Sequence, residues 1–196
     1  MWYKDTKYSQ GILPIDTYKK DVDELVPHKD YVDWESLRQE LKEHGIRNST
    51  LMALMPAETS ALISNSTNGI EPPRGLVSVK QSKDGVMKQV VPGIHHLKNK
   101  YDLLWDQESP RGYLKHVAVL QKVIDQAASA NTSYNPRFYP DDRIPLSVML
   151  QDLLLAYRWG FKTLYYFNTN DNAGEDVSEG APTPSQEEQS TTDQVS

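Results

Sequence analysis

The turn from Pro56 to Ser60 is the segment of this chain best suited to holding a charged ligand. An apolar run, Leu51 to Met55, leads into Pro56, and the residues that follow begin a short helical pattern. The first turn of a helix has unpaired N–H groups and the positive end of the helix dipole, which together suit a phosphate. The hydroxyls of Thr59 and Ser60 would add donors. The alternative is that Thr59 and Ser60 only cap the helix, which is the commoner use of such residues.

Two adjacent tyrosines, Tyr165 and Tyr166, are the second place where residue types permit chemistry. A tyrosine that loses an electron must also lose its phenolic proton, because its resting pKa is about 10. Adjacent rings would give a radical a short hop. An ideal strand sends neighbouring side chains to opposite faces, so a stacked pair requires the strand to end or distort here. The alternative is two ordinary strand aromatics, one in the core and one outside.

Other polar patterns carry weaker signals. The Asn68–Gly75 segment predicts a rigid loop stiffened by two prolines, in which Glu71 and Arg74 could pair. No Gly-x-x-x-x-Gly-Lys-Ser/Thr pattern is present, so a kinase or ATPase has no support. The five histidines lack His-Glu-x-x-His spacing, and we expect no metal site.

The elements that would position these residues follow from apolar periodicity and turn signals. Helices are predicted over 33–44 with Asp33 as the cap and Gly45 as the stop, and over 95–105, 112–128 and 145–159. Strands are predicted over 51–55 and 161–167, and a hairpin pairs 76–81 with 86–91 around Asp84-Gly85. Residues 1–32 are interpreted as connecting structure.

Composition limits the class of protein. The 196 residues are 38% hydrophobic and 24% charged, which predicts a globular, soluble and cytoplasmic protein without a signal peptide or membrane span. The net charge of −6 argues against direct nucleic-acid or membrane binding. The absence of cysteine excludes disulfides and any thiol chemistry supplied by this chain. Residues 170–196 hold seven acidic residues and no Lys or Arg, and we predict a disordered tail there, after a domain spanning 1–169.

Five long segments together resemble the C-terminal part of the class I ribonucleotide reductase large (alpha) subunit. They are GILPIDTYKKD (11–21), RNSTLMALMPAETSALISNSTNGIEPPRG (47–75), KDGVMKQVVP (83–92), ASANTSYNPRFYP (128–140) and KTLYYFNT (162–169). The resemblance runs from about residue 8 to residue 169 and leaves out only the ends of the chain. The length of these motifs makes chance similarity a poor explanation.

The resemblance implies a fold and an activity. The family reduces ribonucleoside diphosphates to deoxyribonucleoside diphosphates for DNA synthesis, and its catalytic domain is a ten-stranded α/β barrel. This chain would supply the last strands and helices of that barrel and be incomplete alone. The loop that receives the substrate diphosphate matches Pro56, Ala57, Glu58, Thr59 and Ser60, with Ala57 in place of a serine of relatives. Tyr165 and Tyr166 match the tyrosines that pass the radical from the small (beta) subunit toward the active site.

The resemblance also implies partners, because the family needs a cysteine that becomes a thiyl radical, two reducing cysteines and usually a cysteine pair in its tail. This chain has none of them. The cysteines would come from the remaining portion of the large subunit, the radical-generating metal cofactor from the small subunit, and electrons from thioredoxin or glutaredoxin. We expect no cofactor bound by this chain itself. Two alternatives stay open: a non-catalytic reductase remnant that acts as an interaction or scaffold protein for the small subunit, and a piece of one longer chain.

Overall fold

The computed structural model describes residues 3–82 and 85–170. The predicted acidic tail lies outside the described residues except for Asn170, and so do Lys83 and Asp84 of the predicted hairpin turn.

The first part of the chain is built from short helices around a small apolar cluster. Helix α1 is Pro14–Thr17 and helix α2 is Trp34–His44. The Asp33 carboxylate accepts a hydrogen bond from the Ser36 amide, and Gly45 ends the helix at a φ of +77°, as the sequence predicts. Short 3-10 turns complete this part at Tyr3–Asp5, Tyr8–Gln10 and Lys20–Glu24, and its core is formed by Tyr8, Leu13, Ile15 and Leu41.

The segment predicted as a strand over 51–55 is not one. It is extended and makes a single parallel bridge, Leu54 with Ala128. Its backbone is nonetheless paired, because the Leu54 N–H donates to the Ala127 carbonyl at 3.2 Å and the Ser129 N–H donates to the Leu54 carbonyl at 2.8 Å. Helix α3, Glu58–Ser64, follows directly, so the expected order of extended segment, turn and helix is present.

The predicted hairpin is confirmed. Strands β1, Val77–Ser82, and β2, Gly85–Val90, are antiparallel and pair from Val77 with Val90 to Ser82 with Gly85.

The helix predicted over 95–105 is wrong in extent. Helix α4 covers only Ile94–Leu97, and 3-10 turns follow at Lys98–Lys100 and Leu104–Asp106. Tertiary hydrogen bonds account for the difference: the Tyr101 hydroxyl donates to the Pro92 carbonyl at 2.8 Å, and the Leu104 N–H donates to the Pro73 carbonyl at 2.9 Å. The backbone here is held by neighbouring loops instead of by its own helix.

The last part of the chain is a parallel strand–helix–strand unit preceded by a helix. Helix α5 is Arg111–Gln121, strand β3 is Ala130–Tyr134, helix α6 is Leu146–Arg158 and strand β4 is Leu164–Thr169, with 3-10 turns at Pro136–Phe138 and Pro140–Asp142. Strands β3 and β4 are parallel neighbours, so α6 lies in their crossover, the connection expected of an α/β fold.

Helix α5 ends seven residues before the predicted bound of 128. The Asp125 carboxylate accepts from the backbone N–H groups of Leu51 at 2.6 Å and Met52 at 2.8 Å, which draws the chain alongside the 51–55 segment. Strand β3 then begins, and the sequence did not predict it, because its residues are mostly polar.

The main apolar core surrounds α5. Its buried members are Val22, Tyr113, Leu114, Val117, Ala118, Ala128, Ala130 and Trp159. The strands of the described part of the chain form two separate two-stranded sheets and do not close into a barrel. Within residues 3–82 and 85–170, no helix has the length and apolar character needed to span a membrane.

Helix α6 matches its predicted bounds but turns much of its apolar side outward. Leu154 is 65% exposed and Tyr157 is 73% exposed, whereas Asp152 on the same helix is fully buried. An exposed row of large apolar side chains is unusual for a protein that is complete by itself.

Candidate functional site

Strand β4 carries the tyrosine pair, and the pair is in contact. The ring centroids of Tyr165 and Tyr166 lie 4.0 Å apart with their planes inclined by 48°, and the Tyr166 hydroxyl donates to the Tyr165 hydroxyl at 3.2 Å. Both rings are more than half exposed, at 56% and 57%. The alternative of one buried and one exposed aromatic is therefore wrong.

A distortion of the strand makes this contact, as the sequence argument required. Ala130 pairs with Leu164 and Thr132 pairs with Phe167, so Asn131 alone lies opposite both tyrosines. This is a β-bulge, in which two residues of one strand face one residue of the other. The irregular pairing accounts for neighbouring side chains that do not alternate between faces.

The residue after the pair is fixed by a buried network. The Phe167 ring stacks on Tyr134 with centroids 5.0 Å apart, and the Tyr134 hydroxyl donates to the Asp152 carboxylate at 3.1 Å. The other Asp152 oxygen accepts from the Arg111 Nε at 2.5 Å. Burial raises the pKa of the Tyr134 phenol, and the Asp152 charge raises it further. Tyr134 therefore stays protonated and holds the end of β4 against α5 and α6.

The predicted phosphate loop lies at the start of α3. The N-cap residue is Ala57, which has no side-chain oxygen, and its own N–H donates to the Asn68 side-chain oxygen at 2.8 Å. Thr59 and Ser60 lie one and two residues inside the helix with exposed side chains, so neither occupies the cap position. The Glu58 side chain lies outside the described set.

A cavity of about 290 Å³ connects parts of the two predicted sites. Pro56 lines it from the loop and Tyr166 lines it from β4, with Asn131, Glu71 and Tyr113 among the other lining residues. The remaining predicted site residues do not line this cavity: Ala57, Thr59, Ser60 and Tyr165 lie outside it. The structure thus brings one residue of each predicted site to a common space.

Glu71 and Asn131 are polar residues of this cavity to which the sequence assigned no role. The Asn131 side chain donates to the Glu71 carboxylate, and its oxygen accepts from the Tyr166 backbone N–H at 2.8 Å. Burial raises the pKa of Glu71, and the Asn131 hydrogen bond and the nearby Arg74 charge offset this only in part. The charge of Arg74 thus acts on the Glu71 carboxyl, in the sense expected of a pair. The Arg74 guanidinium also lies 5.8 Å from the Trp105 ring centre.

The signal for Asn131 is the burial of a polar strand, which only the structure shows. Strand β3 reads Ala-Asn-Thr-Ser-Tyr, and every residue in it is buried. Buried polar side chains need hydrogen-bond partners, so a fully buried strand with polar residues indicates that these residues line a site.

The described residues do not form a metal site. No three His, Asp or Glu side chains among residues 3–82 and 85–170 come together in a way that could hold an ion.

Comparisons with known proteins agree with this architecture. A family model described as "Ribonucleotide reductase, barrel domain" matches residues 1–167. The ribonucleoside-diphosphate reductase 1 subunit alpha of Salmonella typhimurium is 56% identical over 92% of this chain and 24% of its own length. The corresponding subunit alpha of Haemophilus influenzae is 58% identical over 91% of this chain and 23% of its own length. That of Enterobacteria phage T4 is 49% identical over 89% of this chain and 24% of its own length.

The chain spans about a quarter of the length of these relatives, and the match includes both the 56–60 loop and the tyrosine pair. The family model covers most of the chain and the identities lie far above the level at which folds diverge. This chain belongs to the ribonucleotide reductase barrel-domain family.

Proposed function

We propose that this chain is the C-terminal portion of a ribonucleoside-diphosphate reductase large subunit and acts in the reduction of ribonucleoside diphosphates to deoxyribonucleoside diphosphates. Residues 1–169 contribute the last strands and helices of a ten-stranded α/β barrel, followed by an acidic tail over 170–196. The observation that carries this proposal is the contact between Tyr165 and Tyr166, made by a bulge in β4 of a chain from this family.

The tyrosine pair has a geometry suited to radical transfer. When Tyr165 is a neutral phenoxyl radical, Tyr166 gives it one electron and, along the hydrogen bond between their hydroxyls, one proton. Tyr165 becomes a phenol again and Tyr166 becomes the radical, so charge does not change in the step. The same step runs in reverse, since the two tyrosines are equally exposed, at 56% and 57%. Tyr166 also lines the cavity, which supports a place for the pair between the surface and a substrate.

The loop from Pro56 to Ser60 is proposed to hold the substrate diphosphate. Thr59 and Ser60 have exposed side chains at the start of α3, where backbone N–H groups also lack helical partners. Because α3 spans only Glu58–Ser64, its dipole is a small contribution, and the hydroxyl and N–H donors carry the proposal. Ala57 offers no hydroxyl.

The proposed partners would supply the cysteines that the chain lacks and cover the apolar side chains that it exposes. It contains no cysteine, so the thiol chemistry belongs to the remaining portion of the large subunit, re-reduced by thioredoxin or glutaredoxin. The metal cofactor that generates the radical is assigned to the small subunit, as the resemblance to the family implies. Exposed apolar side chains on α6 and at Leu51, Met55 and Ile63 support burial against another polypeptide.

Reconstitution tests the proposal. The 196-residue chain is combined with the cysteine-bearing portion of the large subunit, the small subunit and a thioredoxin system, and formation of deoxyribonucleoside diphosphate is measured. We expect turnover that depends on this chain. A complex that assembles but forms no product, while a full-length relative does under the same conditions, contradicts the proposal.

A second candidate function is a non-catalytic remnant that binds the small subunit. The chain contains no cysteine, although the resemblance implies a cysteine pair in the tail of the family, and this favours the second candidate. In that case the chain binds the small subunit but adds no turnover to the cysteine-bearing portion.

A further inference from the structure

The bulge in β4 leaves a backbone group that the strand ladder cannot pair. Between the pairs Ala130–Leu164 and Thr132–Phe167, β4 has two residues where β3 has one. An extra residue in a bulge loses its regular partner across the ladder. Tyr166 lies in the bulge and lines the cavity, and its N–H bonds outside the regular ladder.

A side chain supplies the missing acceptor. The Asn131 side-chain oxygen accepts from the Tyr166 N–H at 2.8 Å, so the residue opposite the bulge pairs with it through its side chain. Asn131 is only 7% exposed, so loss of this contact would leave its buried amide oxygen without a donor, which is unfavourable. The contact therefore holds the bulge at one position along the strand.

A second contact fixes which end of the Asn131 amide meets Tyr166. The amide nitrogen donates to a Glu71 carboxyl oxygen, and the backbone N–H of Tyr166 can act only as a donor. This forces the amide oxygen toward the Tyr166 N–H. Glu71 is itself held in place, because it precedes two prolines that stiffen the loop, Pro72 and Pro73. The Pro73 carbonyl also accepts a hydrogen bond from the Leu104 N–H at 2.9 Å.

We propose that Asn131, oriented by Glu71, is a positioning residue that holds Tyr166 in contact with Tyr165 by pinning the β4 bulge. A shift of the bulge by one residue would send one ring to the opposite face of the strand, since side chains alternate. The 3.2 Å contact between the two hydroxyls would then be lost. The inference rests on the relay proposed above, to which it adds the group that sets the relay's geometry.

The test uses the 196-residue chain assembled with the cysteine-bearing portion and the small subunit, with 3-fluorotyrosine at position 166. The ¹⁹F resonance reports the surroundings of the Tyr166 ring, and product formation reports turnover. Asn131→Leu keeps the side-chain size and removes both hydrogen bonds. We expect the resonance to shift and turnover to fall about tenfold to a hundredfold, the range that a displacement of about 1 Å produces.

A double substitution at positions 131 and 71 distinguishes a loss of positioning from a general loss of structure. Asn131→Asp places a second carboxylate against Glu71 and should reproduce the defect. Adding Glu71→Gln gives the side chain at 71 an N–H donor for the carboxylate introduced at 131, which reverses the direction of the original hydrogen bond. The double variant should therefore recover both the resonance and most of the turnover. Failure of the double variant to recover the resonance overturns the assignment of these two contacts.

Asn135→Leu is the matched control. Asn135 is 5% exposed and also makes two hydrogen bonds, donating to the Trp105 carbonyl and accepting from the Arg137 N–H, but none to β4. It should leave the ¹⁹F resonance at 166 in place. An unshifted resonance in Asn131→Leu overturns the proposal. A shifted resonance with unchanged turnover instead keeps Asn131 as the positioning residue and removes the relay function from the tyrosine pair.

Discussion

At the scale of single residues, the site combines exposed groups that would react with buried groups that hold them. Tyr165 and Tyr166 are exposed and in contact, while Asn131 behind them is buried and hydrogen-bonded on both sides. The Thr59 and Ser60 side chains are exposed in the same way and neither lies at the helix cap. The proposed function therefore depends, at this scale, on donors that the fold leaves accessible to a ligand.

The Thr59 and Ser60 hydroxyls give the first prediction. Replacing both with alanine removes two donors to a charged diphosphate, each worth about 1.5–3 kcal/mol. We expect the substrate KM to rise at least about a hundredfold in the reconstituted enzyme, with a smaller change in kcat. Ser64→Ala is the control, because its hydroxyl bonds to the Ser60 carbonyl within the same helix. An unchanged KM in the double variant would remove the loop from substrate binding.

At the scale of elements, the sequence predicted those that are set by local signals. The Asp33-capped helix, the hairpin and α6 have their expected places, because caps, turn residues and apolar periodicity lie within each element. The helix predicted over 112–128 ends early and β3 went unpredicted, because both depend on partners distant in the chain. Asp125 binds the backbone of 51–52, and the polar residues of β3 are paired by Glu71 and β4.

The same contrast holds for the candidate site. The requirement that β4 distort at the tyrosine pair followed from strand geometry alone. The residue that accompanies the distortion, Asn131, is 35 positions away from Tyr166, and no local pattern connects the two.

Asp125 gives a prediction about pH. Burial raises the pKa of its carboxyl, but hydrogen bonds from the N–H groups of Met52 and Leu51 and from the Tyr8 hydroxyl outweigh burial, so the pKa lies below its ordinary value. A lowered folded-state pKa stabilises the fold above the unfolded pKa of about 4, and this contribution is lost as pH falls through the folded value. Asp125→Asn should be less stable than the parent at pH 6, and the gap should narrow toward pH 3.

Urea unfolding of the two proteins across this range measures the gap. Tyr8→Phe removes only one of the donors and should show a smaller gap with the same trend. A gap that is constant from pH 6 to pH 3 would mean that the carboxylate charge is not what joins these segments.

Asp152 gives a prediction about stability. It is fully buried and joins α6 to Arg111 of α5 and Tyr134 of β3. Asp152→Ala leaves a buried hydroxyl and a half-buried guanidinium without their partner, which should cost about 3 kcal/mol in urea unfolding. Asp106→Ala breaks a comparable arginine pair, Arg137 with Asp106, in which both side chains are more than half exposed, and should cost less than about 1 kcal/mol. Equal losses in the two variants would contradict the structural role of Asp152.

At the scale of the whole molecule, the chain has three features that fit its proposed role as one part of a larger assembly. It spans about a quarter of the length of its relatives, its strands form two small sheets within the described residues, and large apolar side chains of α6 face outward. It also lacks the cysteines that reductase chemistry needs. Under the proposed function, it contributes the 56–60 loop and the tyrosine pair to the complete enzyme.

The most direct test of this account is turnover of the reconstituted enzyme with Tyr166→Phe. Phenylalanine keeps the ring and removes the hydroxyl that donates to Tyr165, so a radical cannot be formed at 166 with loss of a phenolic proton. We expect reduction of ribonucleoside diphosphate to fall to the background without this chain, while substrate binding is retained. Tyr31→Phe, which removes the hydroxyl of a tyrosine that is 82% exposed and outside the pair, should keep parental turnover. Parental turnover in Tyr166→Phe would contradict the radical relay.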